Sequence, residues 1–417
     1  VKNYKFSFLE VLIMGASDMS DEVSELIELP PEIERFFSQE LGSTLLIKGK
    51  PGTGKTIFAL SLLKKMCEEG NGIYLSTRVD AMIIYKLFPW IKGTILDKSI
   101  VDAVRPRLSP VKGDKFQLAR QIEYSDKPTF IRQLYNLTYE LNRPFLVIDS
   151  WDAIEIFSKS KYGESIIEDM IEFARKTDVR IIFVTEYHEI QRVDYLIDAV
   201  IVMERDFLDG KSVRIMQIEK MRGVEISRGR YLYTLKDGIF RYLKPMKFST
   251  RYFKRESSDL SAFEEIDEMG EFIKDNIPKL ILVEYDVNTP QELPLCVLSP
   301  LMKKYSEKGK DVKIVRPAGI GVSSIKGTLG ILPDEILRDE EMVKKIASKT
   351  FQEFKEVFFV VFPSEHEVIK ELTSYSQLHL KFRTIDGTPL LRLIKPDSQI
   401  YHVEVDEREI KGFTKLV

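Results

Sequence analysis

From Ser43 onward, short apolar runs alternate with stretches whose apolar residues recur every three or four positions. The runs predict strands over 43–48, 72–76, 145–149, 180–185 and 199–203. Between them, Ala59, Leu62, Leu63 and Met66 fall on one face of a helix ending near Gly70. Residues 129–140 predict a second helix, and Ile167, Met170, Ile171 and Ala174 mark a third. Unbroken apolar strands separated by amphipathic helices define an α/β fold, a mostly parallel sheet flanked by helices. Beyond 205 the period drops to two. Val213 to Lys220, Tyr231 to Leu235 and Ile239 to Leu243 alternate, with Asp237-Gly238 as a hairpin turn, so antiparallel hairpins should close the sheet edge. Upstream, residues 20–42 read as a helical lead-in broken at Leu29-Pro30-Pro31. Residues 89–130 look irregular, punctuated by Pro89, Pro106, Pro110 and Pro128.

The same order of elements returns in weakened form. Leu62 to Gly70 is echoed by Leu301 to Gly309, Ile181 to Ile190 by Phe358 to Val368, and Asp209-Gly210 through Lys220 by Asp386-Gly387 through Lys395. Fixed order and similar spacing point to duplication. The expected organisation is a flexible arm (1–24), a first α/β domain (25–245), a linker (246–275) and a degenerate second α/β copy (276–417). The linker opens on a basic-aromatic cluster (Lys247, Arg251, Tyr252, Phe253, Lys254, Arg255). It then turns acidic at Asp259, Glu264, Glu265, Asp267, Glu268 and Glu271. A solvated linker or subunit-packing segment is the expectation there. In the second copy the region matching the strand at 145–149 is missing or shrunken.

Composition narrows the classes. The 417 residues are 44% hydrophobic and 30% charged with a net charge of −3, which does not favour nucleic acid as a partner. No apolar run is long enough to span a bilayer. The stretch from Phe6 to Met14 is interrupted by Glu10 and precedes no small-residue cleavage site, which argues against export. The two cysteines, Cys67 and Cys296, suit neither a disulfide framework nor a zinc site, and a reducing cytoplasm is expected. The histidines at 188, 366, 379 and 402 show no metal-ligand spacing.

The chemistry lies at Gly49-Lys50-Pro51-Gly52-Thr53-Gly54-Lys55-Thr56, a G-x-x-x-x-G-K-[ST] phosphate-binding loop between a predicted strand and a predicted helix. Glycines let successive N–H groups turn towards phosphate oxygens, and the helix N-terminus adds positive potential. Residues 49–57, through Ile57, form the predicted nucleotide-binding stretch. Lys55 would reach the β- and γ-phosphates of a nucleoside triphosphate, and Thr56 would ligate Mg²⁺. Phe145-Leu146-Val147-Ile148-Asp149 supplies a carboxylate at a strand's C-terminal end, where Asp149 would share the Mg²⁺. The second copy has Glu284-Tyr285-Asp286-Val287-Asn288-Thr289-Pro290 at the matching place, and acidic side chains there would repel phosphate.

Three stretches together resemble the KaiC/RadA branch of RecA-type ATPases: Gly42-Ser43 with the phosphate loop, Phe145 to Ser150, and Glu219-Lys220-Met221-Arg222-Gly223. The likeness covers about 25–245, and Ser76-Thr77-Arg78-Val79 resembles the archaeal GvpD-like proteins. The resemblance implies a RecA-like fold and a homo-oligomeric ring, a hexamer being one such ring. It also implies that Lys220 and Arg222 act in trans on a neighbour's nucleotide. KaiC-like hydrolases carry paired glutamates after the second strand, where this chain has Thr77 and Arg78; Asp80 and Glu186 are the remaining acids. The catalytic set expected is Lys55, Asp149 and Glu186. The expected function is an Mg-ATP-binding protein, a slow ATPase whose nucleotide state controls oligomer contacts and a regulatory output. A RadA-like DNA recombination or repair ATPase and a non-hydrolysing sensor in transcription are the competing readings.

Overall fold

A computed structural model describes residues 23–39, 42–67, 71–91, 99–102, 127–162, 166–186, 192–246, 260–270, 272, 277–315, 356–406 and 409–416. The chain divides into two compact units, meeting in sequence at Tyr242/Leu243.

The first unit opens on α1 (Pro31–Phe37), whose leading proline occupies a position with no intrahelical N–H bond to lose. There follow β1 (Thr44–Gly49), α2 (Lys55–Met66), β2 (Gly72–Ser76), α3 (Ala81–Leu87), β3 (Ile100–Asp102), α4 (Lys127–Thr138), β4 (Phe145–Asp149), α5 (Trp151–Tyr162), α6 (Ile167–Thr177), β5 (Arg180–Thr185) and α7 (Arg192–Leu196). Strands β6 (Ala199–Leu208), β7 (Lys211–Met221), β8 (Arg230–Thr234) and β9 (Arg241–Tyr242) complete the unit. The sheet order is β3-β2-β4-β5-β1-β6-β7-β8-β9, parallel from β3 to β6 and antiparallel beyond.

Both faces of the parallel part are buried, which is why its strands are continuous apolar runs. Leu45 and Ile47 enter one core with Phe58, Ala59, Leu62 and Leu63 of α2, whereas Leu46 enters the other with Met170, Ile171 and Ala174 of α6. Helix α2 is buried on more than the one face its spacing predicted. Leu60 and Ser61 are also inaccessible, because the segment after β8 covers the helix's outer side: the Phe58 and Phe240 rings lie 4.7 Å apart, and Phe240 N–H donates to Ser61 Oγ at 3.2 Å.

Three differences from the sequence reading have local causes. Strand β6 runs on to Leu208 and meets β7 through the two-residue turn Asp209-Gly210, both at positive φ (49° and 76°), the conformation of a tight hairpin. The turn at Asp237-Gly238 is wider: Leu235 leaves its strand, and 236–238 form a single 3₁₀ turn whose Gly238 carbonyl accepts from Trp90 Nε1. Within the supposedly irregular 89–130 lie β3 and the start of α4, while residues 92–98 and 103–126 are outside the described set.

The second unit contains β10 (Leu280–Tyr285), α8 (Glu292–Glu307), β11 (Asp311–Val315), β12 (Glu356–Pro363), α9 (Glu367–Leu372), β13 (Leu378–Ile385), β14 (Thr388–Lys395), β15 (Ile400–Asp406) and β16 (Glu409–Lys415), in sheet order β11-β12-β10-β13-β14-β15-β16. Central β10 lies between parallel β12 and β13, as β1 lies between β5 and β6. The β13–β14 turn repeats the first unit's hairpin, with Asp386 and Gly387 at φ 48° and 73°. Where β4 separates β2 from β5, β11 pairs directly with β12, so the described residues hold no counterpart of β4. The fold is thus a mostly parallel α/β sheet with antiparallel edge strands, followed by a reduced α/β copy.

The stretch read as a linker requires correction. Phe263, Ile266 and Met269 are buried in the second core, Glu265 accepts from Phe413 N–H at 2.6 Å, and Glu268 accepts from Tyr401 OH at 2.9 Å. The acidic run had suggested solvent, but its apolar residues recur every third position and its carboxylates find partners. The basic cluster 247–255, residues 1–22 of the arm and His188 lie outside the described residues, while Val23, at the arm's end, is buried in the first core.

Candidate functional site at the carboxyl end of the first sheet

The loop 49–54 sits between β1 and α2, at the carboxyl end of the parallel strands, where open α/β sheets bind ligands. Its glycines are required by space and by angle. A Cβ on Gly49 would stand 2.5 Å from Met203 O, and one on Gly54, at φ +97°, would stand 2.3 Å from Leu235 Cδ1. The loop is closed by Thr53, whose Oγ1 donates to Lys50 O at 2.9 Å, and braced from β8 by Tyr233 OH, which donates to Thr53 O at 2.6 Å. Lys55 folds back over the loop, its Nζ donating to Gly49 O at 2.6 Å and Lys50 O at 3.0 Å. Burial pushes the Lys55 pKa down; Glu186, Asp149 and Asp152 oppose that shift and Arg78 adds to it.

Thr56 and Asp149, 93 positions apart in sequence, meet: Thr56 Oγ1 donates to Asp149 Oδ2 at 2.6 Å, and Tyr74 OH donates to the same oxygen. Burial raises the Asp149 pKa, against the lowering effect of these two donors and of Lys55 and Arg78. A desolvated carboxylate beside a hydroxyl is an all-oxygen donor set, suited to a hard divalent cation such as Mg²⁺. The residues present therefore fit both a phosphate chain and its metal.

Thr77 and Arg78 play separate roles. The Thr77 hydroxyl accepts from Ser150 N–H at 2.8 Å and donates to Ser150 O at 2.9 Å, while Thr77 N–H donates to Asp149 O at 2.8 Å. This clamp fixes the chain directly after Asp149. Thr77→Val should cost about 1–3 kcal/mol, because two buried backbone groups lose their partner, and chemical denaturation checks it. Arg78 pairs with Glu186, Nη1 to Oε1 at 2.8 Å, and approaches Asp152 Oδ2 at 3.7 Å. Asp152, buried, accepts from Glu186 N–H at 3.0 Å and from Thr185 Oγ1. Asp80, the other acid considered as a base, instead caps α3 through Met82 N–H at 2.7 Å.

Lys220 and Arg222 lie elsewhere. Lys220 pairs with Val200, level with Leu46 rather than Gly49, at the amino end of the parallel strands. That is roughly 10 Å along the strand from the loop. Lys220 Nζ donates to the carbonyls of Asp194 (2.9 Å), Tyr195 (3.1 Å) and Ile197 (2.6 Å), capping α7. Arg222 donates to Tyr195 O at 2.9 Å and pairs with Asp198 Oδ1 at 3.0 Å. Burial and the neighbouring Arg222 lower the Lys220 pKa.

Missed in the sequence was Lys48, fully buried beside the loop and paired with Asp194 of α7, Nζ to Oδ2 at 2.7 Å. A lysine at the end of an apolar run was the available signal.

Residues 33–219 match the family described as "GvpD gas vesicle protein, P-loop domain". Protein GvpD2 of Halobacterium salinarum is 30% identical over 236 residues, covering 54% of this chain and 46% of that protein. The circadian clock oscillator protein KaiC of Thermosynechococcus vestitus is 27% identical over 282 residues, 63% of this chain and 53% of that protein. A solved KaiC-like protein from Pyrococcus horikoshii superposes with a TM-score of 0.38 and 20% identity over 49% of this chain and 90% of its own. The chain spans about half the length of the curated relatives it matches first, 46% and 42%. The first unit is a P-loop domain of the KaiC/RadA-like branch of RecA-superfamily ATPases. Within that branch, the first unit is similar to the GvpD-like proteins over residues 33–219. No helix among the described residues is long and apolar enough to cross a membrane.

Proposed function

We propose that the first unit binds Mg-ATP and hydrolyses it slowly, its nucleotide state governing contacts between copies of the chain and through them a regulatory output. The observation that carries this is the Thr56–Asp149 contact at 2.6 Å beside a formed phosphate loop. Lys55, bonded to loop carbonyls, would donate its hydrogen bonds to phosphate oxygens instead; Thr56 and Asp149 would hold Mg²⁺, which offsets phosphate charge. Lys220 and Arg222, at the end of the sheet away from their own loop, suit a neighbouring subunit's site, where added positive charge stabilises phosphoryl transfer. The second copy offers Glu284 and Asp286 in place of a loop and serves as scaffold or sensor. Assembly mass with and without Mg-ATP, alongside turnover, tests the reading. Wild-type protein that retains no Mg-ATP at millimolar concentration ends it.

Slow turnover follows from the acids. The carboxylate of Glu186 is neutralised by Arg78, and position 77 is occupied by a structural hydroxyl. Arg78→Gln should release Glu186 and raise turnover at least about tenfold, a fraction of the roughly 10²–10⁴ a positioned base contributes. A rate that does not rise favours the second reading, a nucleotide sensor that does not hydrolyse.

A further inference from the structure

Strand β6 outruns its parallel neighbour. Strand β1 stops at Gly49, level with Met203 and Met216, but β6 and β7 continue together to the Leu208–Lys211 pair. Past the Ile215–Leu232 pair of β7 and β8, β6 and β7 extend as a ribbon at the loop's end of the sheet, the opposite end of the strands from Lys220. On it, Arg205 and Arg214 are directly opposed cross-strand partners. Like charges so placed repel.

Among the described residues neither guanidinium is neutralised by a carboxylate. Arg205 has the Ser212 hydroxyl at 3.5 Å, and Arg214 Nε is buried without a hydrogen-bond partner. Burial, with Arg205 adding to it, lowers the Arg214 pKa. Tyr233, which braces the loop at Thr53, is acted on by both cations. Arg205 Nη1 lies 3.5 Å from the point a Cβ on Gly52 would occupy, so this charge stands against the phosphate loop itself.

An exposed arginine repelled by its neighbour would ordinarily swing into solvent or find an acid. Here the missing partner is an anion, and the loop beneath is built to hold one. A phosphate offers oxygens matched to the planar guanidinium fork. We propose that Arg205, backed by Arg214, binds a phosphate of the nucleotide held by the loop of its own subunit. The assignment rests on the reading of the first unit as a nucleotide site. It divides these cations between two sites, with Arg205 acting in cis from the ribbon and Lys220 and Arg222 at the opposite end of the strands.

The test measures binding of the non-hydrolysable Mg-ATP analogue AMP-PNP to the full chain by calorimetry, with the nucleotide-free Tm alongside. Variants are Arg205→Ala, Arg205→Lys and Lys55→Ala. Arg205→Ala should weaken binding about 10- to 100-fold, the range of a charge-assisted contact, and Arg205→Lys should restore only part of it. Its nucleotide-free Tm should hold or rise, since a repulsion is removed. If Arg205→Ala binds within about twofold of wild type while Lys55→Ala loses affinity, the arginine has no part in the site and the nucleotide reading stands. A fall in nucleotide-free Tm in Arg205→Ala assigns any loss to folding and overturns the proposal. Wild-type protein that takes up no nucleotide overturns the site reading and the proposal together.

Discussion

Lys55→Ala is expected to weaken Mg-ATP binding by roughly 10- to 150-fold while leaving the fold intact, the range set by a charged hydrogen bond of about 1.5–3 kcal/mol. The two consequences separate because the lysine's contacts in the free loop are local. Its Nζ donates only to the carbonyls of Gly49 and Lys50, and its burial already opposes its charge. Removing it therefore relieves a desolvated cation as well as deleting two hydrogen bonds, and the net stability change should stay within about 1 kcal/mol. A bound phosphate chain has no substitute for it within the loop: Arg78 is committed to Glu186 and Asp152, and Arg205 approaches from the side of Gly52 and cannot take the place of Lys55. Calorimetric titration with Mg-ATP checks the affinity. Equal affinity in the variant would remove the loop from the binding site.

The second large effect concerns folding. Asp194→Ala should destabilise the first unit by about 3–5 kcal/mol, because it strands a buried charge. Lys48 lies on β1 between Thr185 and Val202, its side chain only 1% exposed, and Asp194 Oδ2 is 2.7 Å from its Nζ. The same Asp194 also accepts from Lys220, but through its main-chain carbonyl, a bond the alanine variant keeps. Replacing both partners by well-packed apolar residues, Lys48→Met with Asp194→Leu, should recover most of the loss. Both tryptophans of the chain, Trp90 and Trp151, belong to the first unit, so fluorescence during chemical unfolding reports on it directly. A loss below about 1 kcal/mol would mean that water reaches Lys48.

Much of this architecture is legible in the residues alone. Strand β1, the loop and α2 are contiguous, and period, glycine spacing and the Lys55-Thr56 pair point to the same local structure. Asp149 is legible too, because a parallel strand delivers its last residue to the same sheet end as the loop. The repeat is readable because Asp209-Gly210 and Asp386-Gly387 mark the same tight turn in both copies. The acidic segment around Glu265 is misleading because charge suggests solvent, whereas Phe263, Ile266 and Met269 carry it into a core.

Sequence alone determined the phosphate-loop motif and most of the succession of strands and helices along the first unit, since both depend on neighbours in the chain: backbone angles at glycines, apolar period, and a cation next to a hydroxyl. Only the tertiary structure decided what each charge does. Register sets Lys220 at one end of the strands and Arg205 at the other, though they are fifteen residues apart on adjoining strands. Folding also gives Arg78 the carboxylate of Glu186 and gives Thr77 the backbone of Ser150. The physical reason is range. Local geometry is settled within a few residues, but a charged side chain takes its role from whichever partner the packed sheet brings within about 3–4 Å of it.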